Sequence, residues 1–165
     1  MNKKGFTLIE LIAVVVIMAI IALIATPNIV NMMDKGKKED YVADAKEIIT
    51  KATYMYKQEK YRTDANIFLG GTTIKLANIK GIDDYTDPYG FTYDKEISTV
   101  KFEEPNPTGE LAERVVKITL ISKKSDEVNA ECYTIVTTDK NSLNANAVKQ
   151  GTWDKSATEC KPNNS

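Results

Sequence analysis

An unbroken apolar stretch near the N-terminus constrains this chain more than any other feature. Residues 11–25 read LIAVVVIMAIIALIA, fifteen apolar side chains in succession. As a helix, the mostly apolar residues 6–26 would extend about 30 Å, the thickness of a bilayer core. The stretch therefore predicts an apolar N-terminal rod followed by a separate globular head. Lys3 and Lys4 precede it and are expected to stay on the cytoplasmic side of a membrane.

Two other membrane-targeting patterns contain a similar apolar stretch. A simple signal anchor would have the same apolar length. A cleaved secretory signal fits poorly, because such a signal needs small residues at alternate positions before the cut. Here the pairs Leu23-x-Ala25 and Ile24-x-Thr26 do not meet that need, and Pro27 follows them.

The composition excludes several classes of enzyme and site. The 165 residues include no histidine and two cysteines, and the net charge is -1. Without histidine the chain has no Ser-His-Asp or Cys-His pair and no histidine metal ligand. A net charge near zero gives no overall attraction to nucleic acid. We expect a protein that is not an enzyme and that needs no cofactor or metal.

Glu10 is an exception within the apolar segment. A carboxylate at that depth costs about 2 to 4 kcal/mol, so it should have a partner. No basic residue lies between Phe6 and Asp34. A cut after Gly5 would free the Phe6 amine, about 6 Å along the helix axis from Glu10. That spacing suits an ion pair between two copies displaced along the axis better than a contact within one helix.

At this point the N-terminus resembles a known family. Residues 3–10 read KKGFTLIE, which is similar to the leader and cleavage motif of type IV pilins, and Pro27 continues the match. The resemblance implies that a membrane aspartyl peptidase removes residues 1–5 by cutting between Gly5 and Phe6. It also implies that the new Phe6 amine is N-methylated and that Glu10 is the assembly carboxylate.

The resemblance also implies a place and a set of partners. The precursor would sit in the cytoplasmic (inner) membrane with its N-terminus in the cytoplasm, and the processed chain would enter an extracellular pilus, or fimbrium. The partners would be further copies in a helical homopolymer, prepilin peptidase, the pilus assembly machinery and minor pilins. Cell adhesion and twitching motility are the expected roles, and DNA uptake stays open beside them.

One part of the segment departs from the family pattern. Many relatives carry a glycine midway through the apolar helix, where the helix melts during assembly, but here the sequence is Met18-Ala19-Ile20. Alanine favours helix over glycine by about 1 kcal/mol. Melting between Ala19 and Pro27 is therefore in doubt. Pro27 itself removes a helix hydrogen bond and predicts a kink.

After residues 6–27, the hydrophobic transmembrane or filament-core helix, the pattern predicts an extracytoplasmic α+β head over 28–165. Residues 28–61 form an amphipathic helix, because apolar side chains recur there at three- and four-residue spacing. Residues 62–95 form a loop rich in turn signals. The apolar stripe should pack on the head, and its members are Tyr41, Val42, Ala45, Ile48, Ile49, Ala52, Met55 and Tyr56.

Residues 96–138 predict an antiparallel sheet of three or four strands. Alternation favours strands at 98–103, 114–122 and 131–138, with a polar turn joining the last two. Val100, Phe102, Val116, Ile118 and Leu120 are expected on the face toward the helix, which gives a pilin-like fold of a long helix on a sheet. The remainder, 139–165, reads as a C-terminal loop with Trp153 as its large apolar anchor.

The two cysteines favour a Cys132–Cys160 disulfide. Disulfides survive outside the cytoplasm, where the head is predicted to be, and this one would tie the C-terminal region down. Two free thiols are the alternative if the cell forms few disulfides. A disulfide-closed C-terminal loop is also a common pilin feature, so the resemblance implies the same bond.

Two alternative functions remain. The turn DPYG at 87–90 is similar to one found in pseudopilins of secretion systems, so a pseudopilin of a secretion or DNA-uptake system is the closer alternative. A membrane-anchored enzyme or binding protein is the other, based on Asp83, Asp84 and Asp87. These three carboxylates are also candidate calcium ligands. However, their spacing matches no EF-hand loop, and aspartates in turns usually bond only to the backbone.

Overall fold

The computed structural model describes residues 5–61, 73–82, 85–103, 115–137 and 142–163. They form two compact units that divide between Gly36 and Lys37. Residues 62–72, the first part of the predicted loop, lie outside the described residues, as do Asp83 and Asp84. The fold class is confirmed: one long N-terminal helix is followed by an antiparallel sheet, on which the second part of the helix packs.

Helix α1 spans Leu8–Tyr61, 54 residues, close to the predicted 6–61. It runs as one element across position 27, and the predicted kink and local melting stay predictions. Two polar side chains bond to the helix backbone there: Thr26 Oγ1 donates to the Ala22 carbonyl at 2.6 Å, and Asn28 Nδ2 donates to the Ile24 carbonyl at 3.4 Å. The carbonyl that Pro27 leaves without its usual donor is that of Leu23, so these two bonds lie on either side of that position.

The amphipathic stripe of α1 forms one wall of the main core. Seven of its eight predicted members are no more than 5% exposed, and Met55 packs partly buried against them. The stripe has this form because a helix repeats every 3.6 residues, which places side chains three and four apart on one face. Tyr56 stacks on Phe102 of the sheet with ring centroids 4.7 Å apart. The predicted packing of helix on sheet is therefore confirmed.

The sheet has seven strands within the described residues, more than the three or four predicted. Its order is β1-β3-β4-β5-β6-β7, with β2 also paired to β4, and every pairing is antiparallel. The strands are β1 (Thr73–Lys75), β2 (Thr92–Tyr93), β3 (Thr99–Glu103), β4 (Val115–Lys123), β5 (Glu131–Thr137), β6 (Val148–Asp154) and β7 (Glu159–Pro162).

The three predicted strands are β3, β4 and β5, and each lies within one residue of its expected bounds. The polar turn joins β4 and β5 as an antiparallel hairpin, as predicted. Val100 pairs with Ile118, and Leu120 pairs with Ile135, so these side chains share the face toward the helix. All four are no more than 1% exposed, which confirms the predicted alternation.

The region 139–165 is not only the loop that the sequence predicts, because it contains β6 and β7. Trp153 is 2% exposed and packs with Ile121, Cys132 and Cys160 in a second, smaller core. Ile121 follows Leu120 in β4, so strand alternation places this small core on the face away from the main one. Cys132 and Cys160 are joined by a disulfide with their Cα atoms 6.0 Å apart.

Sequence patterning missed β6 and β7 because their sequences, VKQGTWD and ECKP, show no sustained apolar alternation. The turn between them depends on Asp154, whose Oδ1 accepts hydrogen bonds from the Ser156 amide at 2.9 Å and the Ser156 hydroxyl at 2.6 Å. Asp154 also pairs with Lys161 across the hairpin. Thr158 has φ 55°, which is uncommon for a β-branched residue. The pairing with β5 and the disulfide, rather than apolar alternation, hold these strands in the sheet.

The close approach of β6 and β7 at Gly151 gives a first prediction. A Cβ at this position would lie 2.1 Å from the Lys161 carbonyl oxygen and 3.1 Å from Cys160 Sγ. We expect Gly151→Ala to destabilise the head by about 1 to 3 kcal/mol, the usual cost of overpacking. Thermal unfolding of the full chain in detergent measures it. Gly36→Ala is the control, because nothing lies within 4 Å of its Cβ position, and an unchanged midpoint for Gly151→Ala would contradict the strand packing.

The disulfide gives a second prediction. It joins residues separated by 28 positions, and a closed loop of that size stabilises by about 3 to 4 kcal/mol on a chain-entropy model. Reductant should therefore lower the midpoint of denaturant unfolding of the full chain. A Cys132→Ala/Cys160→Ala variant should start from the lower stability and not respond to reductant. Equal midpoints for the oxidised and reduced wild type would refute the role assigned to the bond.

Candidate assembly site

The N-terminus of α1 is closed by a reciprocal contact between Thr7 and Glu10. Glu10 Oε2 accepts hydrogen bonds from the Thr7 amide and the Thr7 hydroxyl, both at 2.8 Å. The Glu10 amide donates in turn to Thr7 Oγ1 at 3.4 Å. This is the capping box that a Thr-x-x-Glu spacing forms at the start of a helix. It satisfies amide groups that the first helical turn leaves without an intrahelical acceptor.

Thr7 is the residue of this site that the sequence analysis missed. The sequence predicts an ion pair of Glu10 with a neighbouring copy, and the structure also gives Glu10 a hydrogen-bond partner three residues away in its own chain. The Thr-x-x-Glu spacing was the available signal, since it needs no information beyond the sequence. Both bonds use Oε2, so Oε1 keeps the capacity to accept a donor from outside the chain. The local cap therefore does not prevent the contact between copies that the sequence predicts.

The predicted cleavage point lies immediately before this cap. Gly5 and Phe6 precede the first helical residue, Leu8, and have no regular secondary structure. Phe6 is 90% exposed. In the uncut chain the Phe6 nitrogen belongs to a peptide bond, so an ion pair of a Phe6 amine with Glu10 stays a prediction for the processed protein. An exposed, non-helical bond is the form of substrate that a peptidase can bind.

The apolar half of α1 has large side chains exposed on every side. Between Leu8 and Ile24 their exposed fractions range from 48% for Val14 to 77% for Leu23. This part of the helix is long and apolar enough to cross a membrane, and none of that apolar window is buried. A helix that is apolar all round requires an apolar environment. The N-terminal part of the chain thus fits insertion of a precursor into a membrane.

A polar cluster beside the disulfide serves the packing of the C-terminal region. Lys123 Nζ lies 2.5 Å from Asp94 Oδ2 and 2.5 Å from Asp126 Oδ1. The same ammonium lies 4.3 Å from the centre of the Trp153 ring. An open cleft of about 340 Å³ adjoins these residues. The paired charges hold the β4–β5 turn against the small core, and this arrangement assigns Lys123 no separate chemical role.

Asp87 is the one residue of the predicted acidic turn that lies within the described residues. Its Oδ1 accepts hydrogen bonds from the amides of Tyr89 at 2.9 Å and Phe91 at 2.7 Å. Gly90 has φ 86°, which completes the turn that the DPYG sequence predicts. In the part of the chain that the structure describes, no three acidic or cysteine side chains gather as a metal site. Asp87 bonds chiefly to backbone, as turn aspartates usually do.

Comparison with known proteins bears on the N-terminal segment. Residues 1–26 match a family model described as the prokaryotic N-terminal methylation motif. No curated protein and no solved structure matches the chain. The matched residues include Gly5, Phe6, Thr7 and Glu10, so the motif covers the predicted cleavage point and the whole capping box. The first 26 residues of this chain carry the leader signature of type IV prepilins, which supports a protein of the pilin or pseudopilin kind.

Proposed function

We propose that this chain is the structural subunit of a type IV pilus and has no enzymatic activity. Prepilin peptidase cuts between Gly5 and Phe6, the Phe6 amine is methylated, and the processed chain assembles into a cell-surface filament. One observation carries the proposal: a methylation motif spans the start of a helix whose large apolar side chains are exposed on every side. Such a helix suits a membrane before assembly and the core of a filament afterwards.

Charge pairing gives the assembly its register. In the low dielectric of a membrane or filament core, an unpaired Glu10 is costly and an ion pair is strong. Oε2 of Glu10 is bonded to Thr7, and Oε1 is available to the Phe6 amine of a neighbouring copy. Because the amine forms only after cleavage, an uncut chain cannot make this pair. Processing thereby precedes polymerisation.

The partners and locations follow from this mechanism. The precursor binds the cytoplasmic membrane through its apolar helix, with its N-terminus in the cytoplasm, and meets prepilin peptidase and the assembly machinery there. Further copies of the same chain are its main partners in the extracellular filament, together with minor pilins. Adhesion and twitching motility are the roles that we assign to this filament, since exposed loops of the head are suited to binding.

A pseudopilin of a secretion or DNA-uptake system is the second candidate. The DPYG turn favours it. Asp87 closes that turn by accepting from the Tyr89 and Phe91 amides, and it anchors the turn to the head by accepting from the Ser122 hydroxyl. The disulfide-tied C-terminal region favours the pilin. Both candidates share the leader and Glu10, so only the location of the processed protein separates them.

The deciding measurement is the mass and N-terminal sequence of unreduced protein from sheared cell-surface material. For a pilin we expect a chain that begins at methylated Phe6 and has two hydrogens fewer than the reduced form. A Phe6 start that is absent from the sheared fraction would favour the pseudopilin. An intact Met1 found only in membranes would refute both candidates and reduce the protein to an anchored domain.

Substitution of Glu10 tests the assembly mechanism. Glu10→Ala removes the carboxylate and with it the ion pair between copies. We therefore expect filament yield in the sheared fraction to fall at least about tenfold, the change that 1.4 kcal/mol of association free energy produces. The amount of precursor in the membrane should not fall, because the substitution makes the helix more apolar. Normal filaments from the variant would overturn the mechanism.

Thr7→Val is the matched control for that experiment. It removes the hydroxyl that bonds to Glu10 Oε2 and keeps the carboxylate and the Thr7 amide bond. Loss of a capping side chain costs about 0.5 to 2 kcal/mol, so the start of the helix should fray. Filament yield should fall less than for Glu10→Ala. An equal loss in both variants would assign the carboxylate only the local role of a cap.

A further inference from the structure

Asp87 is a buried carboxylate that the proposed function does not use. It is 4% exposed. Besides the two amide bonds to Oδ1, its Oδ2 accepts a hydrogen bond from the Ser122 hydroxyl at 2.5 Å. Within the described residues Asp87 forms no ion pair. A buried carboxylate with hydrogen bonds but no cation is costly when charged, because burial removes its water without supplying a counter-charge.

Ser122 and Tyr41 extend the contact of Asp87 into the main core. Ser122 and Tyr41 are both fully buried. Tyr41 Oη lies 3.3 Å from Ser122 Oγ and 3.2 Å from the Tyr133 carbonyl oxygen. Hydrogen bonds therefore link Asp87 in the 87–91 turn to Ser122 of β4, Ser122 to Tyr41 of α1, and Tyr41 to the Tyr133 carbonyl of β5. Asp87, Ser122 and Tyr41 thus form one line of polar atoms, which joins the turn to α1, β4 and β5.

The electrostatic surroundings of Asp87 do not favour a negative charge. Helix α1 contributes Asp44, and β2 contributes Tyr93, which donates to Asp44 Oδ2 at 2.8 Å. Burial raises the pKa of Asp87 above its ordinary value, and the Ser122, Phe91, Tyr89 and Gly90 donors oppose that shift. The Lys37 ammonium lies 5.1 Å from the centre of the Tyr89 ring. That ammonium faces the aromatic ring of Tyr89, which itself stacks on Tyr133 of β5.

This line of polar atoms can take up a proton at Asp87 without losing a hydrogen bond between its members. With Asp87 ionised, Ser122 donates to Asp87, and Tyr41 donates to Ser122 or to the Tyr133 carbonyl. With Asp87 protonated, its Oδ2–H donates to Ser122, Ser122 donates to Tyr41 Oη, and Tyr41 donates to the Tyr133 carbonyl. Hydroxyl groups allow this reversal because each can both donate and accept. The proton comes from water, and no covalent bond within the chain changes.

We propose that Asp87, Ser122 and Tyr41 form a proton-responsive latch that holds the 87–91 turn more tightly to the head in acid than at neutral pH. The turn carries Tyr89 and Phe91, which pack on Tyr133 with ring centroids 3.7 Å and 5.7 Å apart. The latch therefore controls how firmly an aromatic part of the head surface is held. In the extracytoplasmic location proposed above, the head would meet the pH of the medium directly.

The sign of the pH effect follows from linkage. A carboxyl group whose pKa is raised by folding binds more protons in the folded state than in the unfolded state. Its contribution to stability is greatest below the ordinary aspartate pKa and is lost as the pH rises through the folded pKa. Asp44 has a pKa raised mainly by burial and contributes with the same sign. The test must separate these two residues.

Asp87→Asn is the test variant, because asparagine keeps the shape and cannot ionise. Its Oδ1 can accept from Tyr89 and Phe91, and its Nδ2 can donate to Ser122. We expect the unfolding midpoint of this variant, measured on the full chain in detergent, to rise relative to that of the wild type as the pH goes from 4 to 8. A difference that is constant with pH, or that changes in the opposite direction, would overturn the latch.

Two further measurements keep the test decisive. Asp44→Asn is the control: the latch predicts that the Asp87→Asn shift persists in this background, and its disappearance there would assign the effect to Asp44. Hydrogen exchange at the Tyr89 and Phe91 amides of the wild type, corrected for intrinsic rates, should show protection falling as pH rises. Protection that is independent of pH would refute the latch even if Asp87→Asn failed to fold. Neither readout requires filaments, so failure of the latch and failure of the pilus proposal are distinguishable.

Discussion

The apolar half of helix α1 is the constraint on which the rest of this protein depends. Its large side chains, from Leu8 to Ile24, are exposed on every side, and no described part of the chain covers them. Exposed apolar surface of this extent is unfavourable in water. The chain must therefore use a membrane, other copies of itself, or both in succession. The leader before the helix and the polar head after it are consistent with that requirement.

The carboxylate at the start of the helix has a local role as a cap and, in the proposed filament, an intermolecular one. Glu10 closes the first turn through Thr7 while one of its oxygens remains available. A cap holds the carboxylate in a defined position, which reduces the entropy lost when a second partner binds. In the proposed filament, the free amine of a processed neighbour would supply that partner. Helix capping and subunit register would then depend on the same side chain.

The head depends on two cores on opposite faces of one sheet. The larger core, built around Tyr41, Ile48 and Leu120, attaches the sheet to the helix. The smaller core, with Trp153 and the Cys132–Cys160 bond, attaches the C-terminal strands to the sheet. The turn at 87–91 is secured to the larger core through Asp87 and Ser122. The hydrogen bond between Ser122 and Asp87 and the disulfide thereby add to the apolar contacts that hold the 87–91 turn and the C-terminal strands.

Periodicity and a short motif in the sequence alone determined the helix, the buried stripe, the three central strands and the candidate residues at the N-terminus. These features are local, because spacing along a helix or strand decides which side chains share a face. Thr7 was equally local and was missed. Strands β6 and β7 and the Asp87–Ser122–Tyr41 line were decided only by the tertiary structure. Strands without apolar alternation gain their stability from neighbouring strands, and a buried carboxylate finds its partners only when the helix and sheet pack together.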